Sequence, residues 1–409
     1  MNEHGRKYDL YSQDFKRDAY KIFAAMRRDD PIYRQIGLDG VTPIWFITAY
    51  EDVEAMLRDK RIMRDELQAL PPEKRYQPNQ LDLLLNNHML NKDGVDHVRL
   101  RTLVSQAFTP KRIAALRPRI EAIASMLLDQ VQAKGEMDLI ADFSFPLPTI
   151  VILEMLGVPS EDRDKFKVWS NALLEPQMDA AGLEQAVKHL TDFTNYLRDL
   201  FAKRRAEPKD DLITGLLQAE EAGDKLSENE LFSTMVLLIV TGHETTVNLI
   251  ANATLALLRN PEQLAQLKAD LSLMPNAVEE FLRYDGSVER ALSRWAAEDI
   301  VWKGHHIKRG DAVMLVLGSA NHDETKFAEA EKLRVLRDPN PHLGLGKGVH
   351  YCLGATLARL ETEIAMNTLL SRLPKLRLAI DESELRWRFL PGFRGLEALP
   401  VRWDKEQSQ

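Results

Sequence analysis

The chain has 409 residues, and its 54 Lys plus Arg against 62 Asp plus Glu give a formal charge of −8, which argues against a nucleic-acid polyanion as the main partner. A composition of 44% apolar and 28% charged residues excludes an intrinsically disordered chain. The single cysteine, Cys352, excludes internal disulfides and multi-cysteine zinc or iron–sulfur centres, and it suits a reducing compartment.

The N-terminus lacks the basic-then-apolar order of a signal peptide. No apolar run approaches the roughly 20 residues of a membrane span. The nearest, residues 235–240, ends in the polar cluster Thr241-Gly242-His243-Glu244. The expectation is a cytoplasmic protein with no membrane partner.

In chain order, residues 14–28 show an amphipathic helical pattern that Pro31 stops. Short β-rich stretches follow at 32–33 and 43–48, with others at 299–308 and 312–317, too few for an all-β or doubly wound fold. Residues 69–80, with Pro71, Pro72 and Pro78, are predicted to form a long surface loop. Helices with short turns are predicted around 110–132, 159–171 and 182–205. Ser227-Glu228-Asn229-Glu230 is a capping box, in which the Ser227 hydroxyl accepts from the third helical amide and Glu230 reaches back. The helix it opens can run to Arg259 before Asn260-Pro261, roughly 45 Å at 1.5 Å per residue. Midway, Thr241-Gly242-His243-Glu244-Thr245-Thr246 interrupts the apolar face, and such local conflicts mark functional sites. No repeat, low-complexity segment or linker is visible, so residues 1–409 read as one large domain, mainly α with small β-sheets.

Three motifs fail on their own chemistry. His243-Glu244-Thr245-Thr246-Val247 starts as a helical zinc motif, but Val247 stands where the second histidine ligand belongs. Gly344-Leu345-Gly346-Lys347-Gly348-Val349 lacks the third dinucleotide glycine and the hydroxyl of a phosphate loop. His305-His306 is expected in a turn between Gly304 and Ile307, where solvated histidines are the commoner outcome.

The segment from Pro341 through Gly344-Leu345-Gly346-Lys347-Gly348-Val349-His350-Tyr351-Cys352-Leu353-Gly354 carries more, because it leads into the good helix 355–361. Glycines let backbone approach a flat ligand, and a cysteine at a helix start lies near amide donors and the positive dipole end. A lone cysteine is by itself more often an inert buried residue. The loop resembles the haem-thiolate loop of the cytochrome P450 family, Phe-Gly-x-Gly-x-His-x-Cys-x-Gly, with Leu345 in place of the aromatic.

The resemblance runs from about Asp14 to Trp403 and implies the P450 fold, with its long central helix over the haem. Glu280-Phe281-Leu282-Arg283 matches the family's Glu-x-x-Arg, which a further arginine joins; Arg337 is the candidate, with Lys332 and Arg334 as alternatives. His97 and Arg101, at helical i,i+4 spacing, match a propionate-gripping pair, and Arg294 and His350 match two further propionate contacts. The Thr241–Thr246 segment is similar to the oxygen-activating segment, where a glycine, here Gly242, loosens the helix and an acid–alcohol pair, here Glu244 and Thr245, relays protons. A helix bend with back-bonding hydroxyls is the structural alternative. Arg394-Gly395-Leu396-Glu397 matches the C-terminal signature of the bacterial branch.

The resemblance implies haem b with Cys352 as axial thiolate. It implies a monooxygenase that inserts one oxygen atom from O2 into an apolar small molecule, by hydroxylation or epoxidation. Electrons would come from a separate ferredoxin or flavodoxin with its reductase, since no room remains for a fused reductase. Arg99, Lys111, Arg112, Lys347 and Arg359 are candidates for its docking face, and the protein is expected to be a monomer. The substrate pocket is expected at a loop near Leu83, Leu84 and Leu85, at Leu237, Leu238 and Thr241, at Val288, Ala291 and Leu292, and at Phe393. A peroxide-driven oxygenase and a non-catalytic haem-based sensor are the alternatives; the acid–alcohol pair disfavours the first.

Overall fold

The computed structural model describes residues 7–106, 108–162, 165–166, 168–169, 180–221 and 226–405. The chain forms two compact units, one of Met1–Tyr76, Glu121–Ser144 and Thr245–Gln409, the other of Gln77–Ile120 and Phe145–Glu244.

In the first unit, helix α1 (Gln13–Asp29) starts where the Ser12 side chain accepts from the Phe15 amide. Strands β1 (Ile32–Ile36) and β2 (Pro43–Ile47) form an antiparallel hairpin, and β2 runs parallel to β8 (Ala312–Leu315) with Ile44 opposite Ala312. With β3 (Ile62–Met63) and β5 (Arg294–Ala296) they make a five-stranded sheet of order β1-β2-β8-β5-β3. β4 (Glu136–Asp138), β10 (Pro400–Arg402) and β9 (Arg377–Leu378) form a second sheet, and β6 (Ile300–Trp302) with β7 (His305–Ile307) a third. The large sheet packs on α2 (Tyr50–Arg58) through Ile47, Tyr50, Val53, Leu57, Val313 and Leu315, all buried. The expected short strands are thus present, and the protein is mainly α with small sheets.

In the second unit, α8 (Pro146–Leu156) buries nearly every side chain, and Phe166, Trp169, Phe193 and Tyr196 stack edge-on or tilted at 5.2–5.6 Å. The helix predicted over 110–132 is two helices, α6 (Pro110–Ala115) and α7 (Arg117–Asp129). Pro118 explains the break: it has no N–H to give to Ala114, and it disfavours helical backbone at Arg117. The helix predicted over 182–205 spans Ala180–Ala206 as α9, followed by α10 (Leu212–Glu221). Of the helix predicted over 159–171, Ser160–Asp162 form a 3-10 turn, residues 165–166 and 168–169 are helical, and 163–164, 167 and 170–171 lie outside the described residues. The predicted loop at 69–80 contains a 3-10 turn, Pro72–Lys74, and ends on the Asn79–Asp82 capping box of α4 (Gln80–Asn86).

The capping box at Ser227 forms as read: its amide gives to Glu230 at 2.7 Å and its hydroxyl accepts from the Glu230 amide at 3.2 Å. Helix α11 (Glu228–Arg259) is 32 residues long. It is long and apolar enough to cross a bilayer, which the count of uninterrupted apolar residues did not suggest, but 78% of its apolar window is buried inside the protein. After it come α12 (Pro261–Ala269), α13 (Met274–Tyr284), α14 (Leu317–Ala320) and α15 (Ala355–Arg372).

Candidate active site

Cys352 is a partly exposed thiol, in no disulfide, three residues before the first turn of α15. The loop leading to it has no regular ladder, so each of its backbone groups must find a partner elsewhere. The Tyr50 hydroxyl gives to the Pro341 carbonyl at 2.6 Å, and the Leu343 amide gives to Asn321 Oδ1 at 2.7 Å. The Gly344 amide gives to His342 Nδ1 at 3.1 Å, the Gly346 amide to the Leu343 carbonyl at 2.8 Å, and the Cys352 amide to the Leu345 carbonyl at 3.0 Å. Gly348 has φ +74° and faces the Leu57 carbonyl, 2.7 Å from where a Cβ would stand. Gly344 is equally hemmed in, with the Leu282 carbonyl 2.5 Å from its would-be Cβ. These two glycines are required by close backbone approach.

Helix α13 underpins this loop. The Glu280 and Arg283 side chains are wholly buried and doubly bonded, at 2.7 and 2.8 Å. Arg283 spends its remaining donors on the carbonyls of Asn321, Ala330 and Lys332 at 2.8–3.0 Å. The same Glu280 carboxylate accepts from Arg337 Nε at 3.0 and 3.1 Å, from Asn340 Nδ2 at 3.2 Å and from the Arg334 amide at 2.9 Å. The side chains of Lys332 and Arg334 turn instead to Glu329 on the surface. A Glu-x-x-Arg pair on one helix face would ordinarily be a weak exposed pair; burial makes this one costly to break.

The neighbouring Glu279 joins α13 to α15 and to the loop. Its carboxylate meets Arg359 at 2.6 and 2.9 Å and His342 Nε2 at 2.9 Å. Burial pushes this carboxyl up, but Arg359 and His342 outweigh it and bring Glu279 down to about 2. The sequence reading passed over Glu279 and His342, although His342 lies two residues before Gly344.

Arg294 is buried on β5, with a long hydrogen bond of 3.4 Å to the Ile62 carbonyl, and His350 closes the 3-10 turn Gly348–His350. In the second unit, His97 is buried and Arg101 half-buried on α5 (Gly94–Ser105).

The segment Thr241–Thr246 lies within the helical span of α11. Local bonds hold it: the Thr241 hydroxyl gives to the Leu237 carbonyl at 2.7 Å, and His243 Nδ1 lies 2.7 Å from the Ile239 carbonyl, so that nitrogen carries the proton. Ile152 of α8 fills the space beside Gly242, 2.8 Å from a would-be Cβ. Glu244 and Thr246 are buried and Thr245 half-buried. One turn on, Thr246 lies by Glu361 of α15, a carboxyl that the sequence reading missed in an otherwise ordinary helix. Burial pushes Glu361 up to about 8, only partly offset by the Thr246 hydroxyl, and neither of its oxygens has a well-formed hydrogen bond.

Among the expected pocket residues, Val288 and Phe393 are brought together as a β-bridge, and the Glu289 and Arg290 amides both give to Gly392 at 2.9 and 3.1 Å. Lys16, buried on α1, fastens this pair by giving to the Phe393 carbonyl at 2.7 Å and to Glu289 at 3.3 Å. Ala291 packs at the edge of the sheet core, whereas Leu292 is 41% exposed. In the second unit Leu237 and Leu238 are buried on α11, while Leu83, Leu84 and Leu85 are half-buried on α4, a helix instead of the loop expected there. Four of the five candidate docking cations are already paired: Arg99 with Glu230, Arg112 with Asp210, Lys347 with Glu54 and Arg359 with Glu279. Lys111 is exposed.

The residues fit a sulfur-ligated haem on the chemistry they present. Cys352 is unbridged and accessible, it sits where the α15 dipole suits an anionic sulfur, and a Cβ on the adjacent Gly354 would meet nothing within 4 Å. In the first unit, Arg294 is a buried cation of a kind that suits a carboxylate.

Comparison with known proteins agrees. The family profile described as Cytochrome P450 matches residues 20–374. The polyketide biosynthesis cytochrome P450 PksS of Bacillus subtilis is 43% identical over 399 residues, covering 97% of this chain and 98% of that protein. Its solved structure superposes with a TM-score of 0.91, as does the myxobacterial cytochrome P450 CYP267B1 in complex with myristic acid, which is 42% identical and covers 97% of this chain and 99% of its own. The vitamin D(3) 25-hydroxylase of Pseudonocardia autotrophica is 40% identical over 97% of this chain and 96% of its own. Matched by the family profile over most of its length and by full-length relatives above 40% identity, the chain belongs to the cytochrome P450 family, as one of its monooxygenases.

Proposed function

We propose that this protein uses haem b, with Cys352 as axial thiolate, to insert one oxygen atom from O2 into an apolar small molecule. The observation that carries the reading is the placement of its only cysteine, accessible at the head of α15 in a loop whose backbone is pinned by Tyr50, Asn321 and His342. Haem bound there supplies O2 activation, with electrons from a separate ferredoxin or flavodoxin and its reductase. His97, Arg101, Arg294 and His350 hold the propionates, and Leu345 packs beside the sulfur. Glu244, buried on α11, and Thr245, half-buried beside it, would hold protons and pass them to the reaction site. Leu237, Leu238, Val288 and Phe393 exclude water and orient an apolar substrate. The enzyme acts as a monomer in the cytoplasm, with residues 1–409 serving as one catalytic domain, a reading that the solitary cysteine suits.

The reduced protein with carbon monoxide is expected to show the strongly red-shifted Soret band of thiolate ligation; a histidine-type spectrum would refute the Cys352 assignment. Thr245→Ala is expected to divert electrons from product to hydrogen peroxide, and unchanged coupling would count against the proton relay. Turnover is expected with O2 and a reductase system and not with peroxide alone. Since myristic acid occupies the related CYP267B1 and an acyl carrier protein loaded with hexadec-9Z-enoic acid is bound in P450BioI, long-chain fatty acids lead the ligand set to screen by haem spin state.

A further inference from the structure

We infer that His342 is a positioning residue for the cysteine loop, locked as the neutral Nε2–H tautomer so that its Nδ1 lone pair holds the Gly344 amide and thereby the carbonyl that receives the Cys352 amide. The inference rests on Cys352 being the haem ligand. Its geometry is directional at every step. A backbone N–H can only donate, so Nδ1, 3.1 Å from the Gly344 nitrogen, must accept and carries no proton. The remaining proton of a neutral imidazole is then on Nε2, which lies 2.9 Å from Glu279 Oε2. Glu279 is an acceptor because Arg359 grips both its oxygens at 2.6 and 2.9 Å. The imidazole is only 5% exposed, so water cannot readily replace either bond. The opposite tautomer would set N–H against N–H at Gly344 and a lone pair against the carboxylate.

Gly344 has little freedom to adapt, with the Leu282 carbonyl behind it and His342 Nδ1 only 3.3 Å from its would-be Cβ. The Leu345 carbonyl follows directly on this pinned residue and takes the Cys352 amide at 3.0 Å. Outer groups that orient a ligand tune the metal it binds. His342 therefore acts on the sulfur through two intervening backbone groups, without touching it.

The test compares His342→Phe, which removes both bonds, with His342→Asn, whose Oδ1 can stand in for Nδ1, in the haem-loaded protein. His342→Phe is expected to lose the thiolate-type reduced-carbon monoxide band about tenfold faster or more, and to shift the haem reduction potential, while His342→Asn keeps both near the unmodified protein. If His342→Phe behaves as the unmodified protein, or if His342→Asn fails as badly as His342→Phe, the inference is overturned. Should His342→Phe fail to fold, nitrogen NMR of the unmodified ferrous carbon monoxide complex, with labelled histidine, decides the matter: protonated Nε2 and bare Nδ1 are expected, and a proton on Nδ1 overturns it. A histidine-type spectrum in the unmodified protein would instead defeat the thiolate reading and this inference together.

Discussion

The loop that carries Cys352 and the segment of α11 that carries Glu244 and Thr245 are both punctuated by glycine, and they are held by opposite means. The loop depends on distant partners: Tyr50 for Pro341, Asn321 for Leu343, and Glu279 for His342. The helical segment is held by its own previous turn, through Thr241 to Leu237 and His243 to Ile239. Its glycine meets a side chain, Ile152, whereas Gly344 and Gly348 meet carbonyls. A ligand-bearing loop must be rigid without a ladder, so its geometry is borrowed from helices far away in sequence. The α11 segment keeps its helical bonds and varies only its side chains.

The most disruptive way to probe the difference is Glu280→Gln, which leaves Arg283 and Arg337 buried with their charge uncompensated. A loss of about 3–5 kcal/mol in urea unfolding is expected. The corresponding change in the helix, Thr241→Val, removes one local bond and is expected to cost no more than about 1 kcal/mol. Comparable losses would mean that the loop is no more dependent on tertiary support than the helix.

Glu361 lies where α15 approaches Thr246, and it tests the junction by pH. Its carboxyl is raised above the ordinary value near 4.5 to about 8, so the native state favours the neutral form. That contribution is complete below the ordinary carboxyl range and is lost as pH rises through about 8. Glu361→Gln is therefore expected to gain stability over the unmodified protein as pH increases, on the order of 3 kcal/mol in alkaline buffer, with little difference in acid. A pH-independent difference in melting temperature would argue against a buried, titrating Glu361.

The two glycines sharpen the contrast further. Gly344→Ala places a methyl 2.5 Å from the Leu282 carbonyl, and backbone cannot yield as a side chain does. A cost of about 2 kcal/mol and a lower haem content are expected, measured by unfolding and by absorbance. For Gly242→Ala the clash is with Ile152, which can change rotamer, and alanine recovers roughly 1 kcal/mol of helix propensity. The expected net change is below about 1 kcal/mol; equal costs at the two positions would erase the distinction. The smallest effect is reserved for Leu345→Phe, which is expected to shift the haem reduction potential in redox titration while leaving unfolding nearly unchanged.

Much of this design can be read along the chain because its elements are local. The capping box at Ser227 and the stop at Asn260-Pro261 each depend on neighbours within a few residues, and they form as expected. The break at Leu116 shows a local cue passed over, since Pro118 already forbids a continuous helix. By contrast, nothing near Glu361 signals burial. Its surroundings, Arg359-Leu360-Glu361-Thr362, resemble any amphipathic helix, and only packing against α11 removes it from water. Glu279 and His342 are 63 residues apart, a pairing that no spacing rule anticipates. The surface cations offered for docking carry a similar lesson: their sign is sequence information, but their pairing with Glu54, Asp210, Glu230 and Glu279 is not.

What the sequence by itself determined is the family and the residue types of its candidate site: one cysteine in a glycine-rich turn before a helix, an acid and an alcohol side by side within a helix, and cationic or donor residues of the kind that suit carboxylates. Those are properties of residue type and short spacing. Only the tertiary structure decided which arginine completes the Glu280 pair and how the cysteine loop is held. Each of those outcomes depends on burial and on hydrogen bonds closed between residues tens to hundreds of positions apart, where the stabilisation comes from removing charge and backbone polarity from water in matched pairs.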